Sequence, residues 1–238
     1  MLQIETRQMS QRAVDFIVRQ DQKKFLREPQ LKNELRRKLA EWFISRHGTA
    51  AALLLTLTLD AYPDDLSRLG LTLKDVQFGA LLHDIGKLLV PEPLVWYKPR
   101  TELTSVDWIE MDRHTVPYGA YALRLVEQQV GPLPEAAYKM VVGHHEKRDG
   151  TGKPYGLVGD QIALSAQFLT VADQVLGRCE ARAYRDDHFT LADAVADVEK
   201  GRATKYEPLF FDHLASVLQG NLHMQVHELE GLGPYEGT

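Results

Sequence analysis

The 238-residue sequence predicts an all-α protein, a helical bundle. Three observations carry that reading. Apolar residues recur at helical spacing almost throughout, as at Leu35, Leu39, Trp42 and Phe43. Thr72 with Asp75, and Thr104 with Asp107, have the spacing of capping boxes, which start helices by satisfying their first N–H groups. No apolar–polar alternation is long enough for a sheet, and there is no internal repeat or low-complexity run.

The elements follow in order. Val14, Ile17 and Val18 give a short amphipathic helix that ends near Glu28-Pro29. A second helix starts near Leu31 and runs past His47 toward Asp60. Tyr62-Pro63-Asp64 breaks it, because proline has no N–H to donate and clashes with the preceding turn. The Thr72 box opens a third helix, which runs toward Gly86 before Pro91 and Pro93 enforce a loop. The Thr104 box opens a helix carrying Trp108, Met111 and His114, which Pro117 kinks or restarts. Pro132 and Pro134 separate it from a helix ending at His144-His145. From Arg148 to Asp160, Gly150, Gly152, Pro154, Gly156 and Gly159 are too many breakers for regular structure. A helix over about 161–181 holds Asp173, and helices over 190–200 and 208–219 complete the set, with Gly201 and Gly220 as stops. The reading divides the chain into an N-terminal helical segment (1–40), one main domain (41–219) and a tail (220–238).

The totals narrow the function. A 44% apolar and 26% charged composition is that of an ordinary soluble protein. A net charge of -5 argues against broad nucleic-acid binding, though not against a local basic pocket for a small anion. Cys179 is the single cysteine, so no intrachain disulfide forms and a reducing compartment is expected. The first 20 residues are polar and unlike a signal peptide. The longest apolar stretch, 49–59, falls short of the roughly 20 residues a membrane helix needs. The expected location is the cytoplasm, with no membrane partner.

Chemistry concentrates in two stretches, Leu81-Leu82-His83-Asp84-Ile85-Gly86-Lys87 and the run from His144-His145-Glu146 to Lys153-Pro154. A His-Asp doublet closing an apolar helix, with a distant His-His doublet entering a Gly-rich loop, is what a two-metal phosphohydrolase needs. Imidazoles and carboxylates hold divalent metals close to phosphate. Any one histidine alone is most simply a surface or core residue; the set is what carries the argument. His188, His213, His223 and His227 fit no motif and keep that simple reading.

From about Arg46 to Leu218 the chain resembles the HD-GYP family, the cyclic di-GMP phosphodiesterase branch of the HD phosphohydrolases. Arg46-His47, His83-Asp84-Ile85-Gly86-Lys87, Lys98-Pro99 with Leu103-Thr104, Met111-Asp112-Arg113-His114, the run from His144 to Leu157, and Val171-Ala172-Asp173 match its motifs in order. Arg182, Tyr184 and Arg185 match its R-P-Y-R segment. The resemblance implies an HD-domain bundle with a dinuclear site. His47, His83, Asp84 and Asp173 would hold one divalent ion, and His114, His144 and His145, sharing Asp84, the other. Iron or manganese is expected, with zinc, nickel and magnesium also compatible. A hydroxide between the ions would attack phosphorus, opening cyclic di-GMP to pGpG or onward to GMP.

Asp84 and Lys87 are the expected catalytic residues. Lys87 either binds a substrate phosphate, with Arg182 and Arg185, or meets the helix dipole. For the two arginines, solvated charge is the alternative. Glu146, Asp149 and Gly150 are expected to order the loop or orient a metal-bound histidine from behind; surface polarity is the alternative for the two acids.

Four positions depart from the family pattern. Lys153 replaces the tyrosine of G-Y-P, and Gln167 replaces an arginine. Leu176 falls where D-A-L-T has its aspartate. Phe43 replaces a glutamate that supports a third metal in some members, so two ions are expected. These losses keep a second function open: a cyclic-dinucleotide sensor or adaptor that retains metal and ligand but turns over weakly or not at all. A different HD phosphohydrolase is a third. Regulation is left to a homodimer, a signalling partner or the N-terminal helices.

Overall fold

Pro29 opens the first described helix at a position where a missing N–H costs nothing. The computed structural model describes residues 29–91, 93–180 and 189–220. Helix α1 (Pro29–Ala40) continues through a π-helical stretch, Glu41–Gly48, into α2 (Thr49–Ala61), as the expected long helix past His47. The wide turn is not visible in the spacing. π-Turns break the i→i+4 ladder and re-aim side chains, often at functional sites, and His47 lies in this one.

The expected break at Tyr62-Pro63 is real, but Pro63 also starts a short helix, α3 (Pro63–Leu69), closed by Gly70 with φ 63°. Both capping boxes form as read. Thr72 and Asp75 exchange hydrogen bonds at the head of α4 (Leu73–Leu82). Thr104 and Asp107 do so at the head of α5 (Ser105–Asp112). Between them run three short 3₁₀ turns, Ile85–Leu89, Pro93–Tyr97 and Arg100–Glu102. After Pro117 come α6 (Tyr118–Val130) and α7 (Glu135–Gly143). The Gly-rich run forms turns and one isolated bridge between Asp149 and Val158 before α8 (Leu164–Cys179). Helices α9 (Leu191–Glu199) and α10 (Pro208–Gly220) follow. Among the described residues there is no strand, so the all-α expectation holds.

Two apolar clusters hold the bundle. One joins Leu39, Phe43, Ile44, Leu82, Ile85, Leu88, Trp96, Leu123 and Val141. The other joins Ala51, Leu55, Met140, Phe168, Val175, Phe210 and Leu214. His47 falls between Ile44 of the first and Ala50 of the second, so the π-turn carries polar chemistry across the boundary. The first helix packs inward through Leu39 and Ala40, and Arg36 Nε donates to Leu88 O at 2.9 Å. His213, which fits no motif, pairs with buried Asp65 at 2.6 Å and stacks on Tyr62, pinning α10 to the α2–α3 corner. The expected helix at Val14–Val18, the 220–238 tail, and His188, His223 and His227 lie outside the described residues. No helix among the described residues is long and apolar enough to cross a membrane.

Candidate metal centre

Each site histidine is aimed by its own local backbone. His83 caps the end of α4, and its Nδ1 donates to Ala80 O three residues back, at 2.6 Å. His114, in the turn after α5, does the same to Met111 O at 2.5 Å. His144, capping α7, does so to Val141 O at 2.9 Å. A neutral imidazole carries one proton. With that proton spent on a carbonyl, Nε2 is left as a bare lone pair pointing away from the helix.

Those lone pairs meet at one carboxylate. Asp84 Oδ1 lies 3.3 Å from His114 Nε2 and 3.7 Å from His144 Nε2. Asp84 Oδ2 lies 3.6 Å from His83 Nε2 and 3.8 Å from His47 Nε2. Asp173, on α8, places Oδ1 3.1 Å from His47 Nε2 and 3.7 Å from His83 Nε2. Its Oδ2 faces His145 Nδ1 at 3.7 Å, while His145 Nε2 sits 3.1 Å from His114 Nε2. All these residues are buried except His145, which keeps part of its edge exposed. Helices from residue 47 to residue 173 thus bring all seven expected ligands to one place. They form donor groups within 4.8 Å, His47/His83/Asp173, His83/Asp84/His144 and His114/His144/His145.

The electrostatics favour a cation. Burial disfavours protonation and lowers His83 and His114 below the usual imidazole range. It does so more strongly for His145, where His144 and His114 add repulsion. Burial alone would raise Asp84, but Lys87 and His83 outweigh it and hold the carboxyl well below the usual range. Asp173 behaves likewise, with burial outweighed by the His47 and His83 imidazoles beside it. His47 differs. Burial lowers it, yet Glu180 and Asp173 together raise it to about 9. Asp84 Oδ1 nevertheless has no hydrogen-bond partner, although buried. An orphaned carboxylate oxygen costs about 1–3 kcal/mol or more, a cost that a divalent ion held by these residues would remove. The residues fit the group.

Close approach makes this possible. A Cβ on Gly86 would stand 1.9 Å from His114 O and 2.5 Å from Gly119 N, so only glycine lets the His83-Asp84 turn pack against His114. Lys87 follows, buried, with its Nζ on Asp84 Oδ2 and 3.7 Å from the centre of the Phe43 ring.

The Gly-rich loop is organised from within. Buried Glu146 accepts N–H bonds from Tyr155 (2.7 Å) and Leu157 (2.9 Å), both in the loop. Asp149 is exposed and accepts from Thr151 N and Oγ1, so it too shapes the loop. Gly150 turns the chain at φ 78°, and a Cβ on Gly152 would stand 2.2 Å from Lys147 N. Gln167, at the lost arginine, accepts from Arg148 at 2.6 Å and donates to Ile162 O at 2.8 Å. Lys153 Nζ meets Asp112 Oδ2. Arg182 and Arg185 lie outside the described residues.

Two contributors escaped the sequence reading. Thr170 Oγ1 donates to His144 O at 2.9 Å. Glu180, fully buried, meets His47 Nδ1 at 2.5 Å. The signal for Glu180 was its spacing: seven residues past Asp173 returns to the same helix face within about 20°.

A helical bundle that turns imidazole lone pairs and two carboxylates onto one buried centre is the architecture of an HD-type protein. An HD domain profile matches residues 26–209, and the chain belongs to the HD domain family. It is 36% identical over 159 residues to a probable cyclic di-GMP phosphodiesterase of Vibrio cholerae, covering 65% of this chain and 34% of that one. It is 34% identical to the cyclic di-GMP phosphodiesterase response regulator RpfG of Xanthomonas campestris, over 62% of this chain and 38% of that one. A 3'3'-cGAMP-specific phosphodiesterase 2 of Vibrio cholerae is 34% identical over 44% of this chain and 19% of its own. The chain therefore spans less than two fifths of the length of these curated relatives. Among solved structures, the HDG"Y"P protein Bd1817 from Bdellovibrio bacteriovorus shares the fold at TM-score 0.54 and 20% identity, over 73% of this chain and 52% of that one.

Proposed function

We propose that the chain is a metal-dependent phosphodiesterase that opens cyclic di-GMP to linear pGpG. The orphaned Oδ1 of Asp84, facing the Nε2 lone pairs of His114 and His144, carries this reading. His47, His83, Asp173 and Asp84 Oδ2 would hold one ion, and His114, His144, His145 and Asp84 Oδ1 the other. Iron or manganese suits this imidazole–carboxylate set. Two such ions supply water activation and neutralise charge developing on phosphate oxygens.

The chain's own residues do the positioning. Asp84 presents one oxygen to each donor group, and the Nδ1–carbonyl bonds keep the rings from turning. Phe43 fills the place of a third ligand with an apolar ring packed on Lys87 and Trp96, which supports two ions rather than three. Lys87, beside Asp84, is the cation of this site that would meet a substrate phosphate. The relatives' names support a cyclic dinucleotide as the substrate class, with 3'3'-cGAMP the competitor within it.

The test is turnover of cyclic di-GMP and 3'3'-cGAMP by Mn²⁺- or Fe²⁺-loaded protein. Linear product that disappears in Asp84→Ala supports the enzyme. Tight binding without product, in anaerobically loaded protein, sinks it and leaves a sensor.

A further inference from the structure

His83, His114 and His144 are each oriented by a carbonyl three residues back in their own chain segment. His47 is held differently. Its partner is the Glu180 carboxylate, 133 residues away, at 2.5 Å from Nδ1. Both side chains are fully buried. A carboxylate is a stronger acceptor than a carbonyl, so it fixes the ring and makes the opposite nitrogen a better donor. Glu180 stands one turn beyond Leu176, where the resembling family has aspartate; Leu176 is instead packed in the apolar core. The Glu180 N–H bonds to Leu176 O at 3.2 Å, so the acid is anchored to the end of α8, which also carries Asp173.

We propose that Glu180 is a positioning residue that acts through His47: it sets the ring's orientation and so the affinity of one metal position, that of His47, His83 and Asp173. The inference rests on the two-ion reading above. Glu180 bonds to His47, so the other position, of His114, His144 and His145, is expected to keep its ion when Glu180 changes.

The experiment is Mn²⁺ titration of the full chain under equilibrium dialysis, with bound metal counted by elemental analysis. Wild type takes up two ions. Glu180→Leu is expected to hold one at free metal concentrations where wild type holds two. Glu180→Gln keeps the acceptor but not the charge, and is expected to weaken one of the two affinities about 10-fold and the other not at all. Should Glu180→Leu fail to fold, the Gln variant decides. A merely structural role would lower thermal stability and leave stoichiometry and both affinities unchanged, which overturns the inference. Wild type binding no ion overturns the two-ion reading and this inference with it. Wild type and both variants binding two ions alike overturns this inference alone.

Discussion

Lys153 reaches from the Gly-rich loop to Asp112, two residues before His114, and ties the loop to the turn that carries one of the site imidazoles. The family tyrosine is gone, and a surface ion pair stands in its place. Both partners are substantially exposed, so solvent screens the pair and it is worth less than about 1 kcal/mol. Lys153→Ala should shift the urea midpoint only slightly. A loss well above that value would show that Lys153 holds the loop's fold and not only its docking.

Glu146 is the opposite case. It is buried, and its two oxygens take the N–H groups of Tyr155 and Leu157. Hydrogen bonds to charged groups contribute about 1.5–3 kcal/mol each, and removing the acceptor strands both donors. Glu146→Ala should cost roughly 2–5 kcal/mol in urea denaturation. Glu146→Gln, which keeps one oxygen, should cost about half as much.

Metal should act on stability as well as on chemistry. A ligand at 100 times its Kd stabilises the native state by about 2.7 kcal/mol per site. Mn²⁺ should therefore raise the wild-type melting temperature, and EDTA should reverse the rise. Asp84→Ala removes the carboxylate that faces both donor groups, so its melting temperature should not respond to Mn²⁺. An undiminished response in that variant would place the ions elsewhere.

The Thr104–Asp107 box should show in acid. The Thr104 backbone N–H, with Lys98, holds the Asp107 carboxyl down to about 2 from an ordinary 3.8. A depressed carboxylate stabilises the fold above its unfolded value and loses that contribution as pH falls through the native one. The melting difference between wild type and Asp107→Asn should be flat from neutral pH to about 5, shrink below about 4, and nearly vanish near 2. A difference that does not shrink in acid would assign the box to geometry rather than charge.

The sequence by itself determined what is local. Thr72–Asp75 and Thr104–Asp107 are helix starts because each box closes within four residues. The identities of the seven donor residues, and the glycines that break regular structure after Arg148, were also legible there. The tertiary structure decided what depends on distant segments meeting. It alone put the Nε2 atoms of residues 47, 83, 114 and 144 around the two oxygens of Asp84. It placed His47 on a π-turn, a widening that side-chain periodicity does not encode. It joined Lys153 to Asp112, and Glu180 to His47 across 133 residues. Hydrogen-bond chemistry within a turn is written in neighbouring letters. Convergence on a buried centre is set by how two apolar clusters pack, and only the folded chain specifies that.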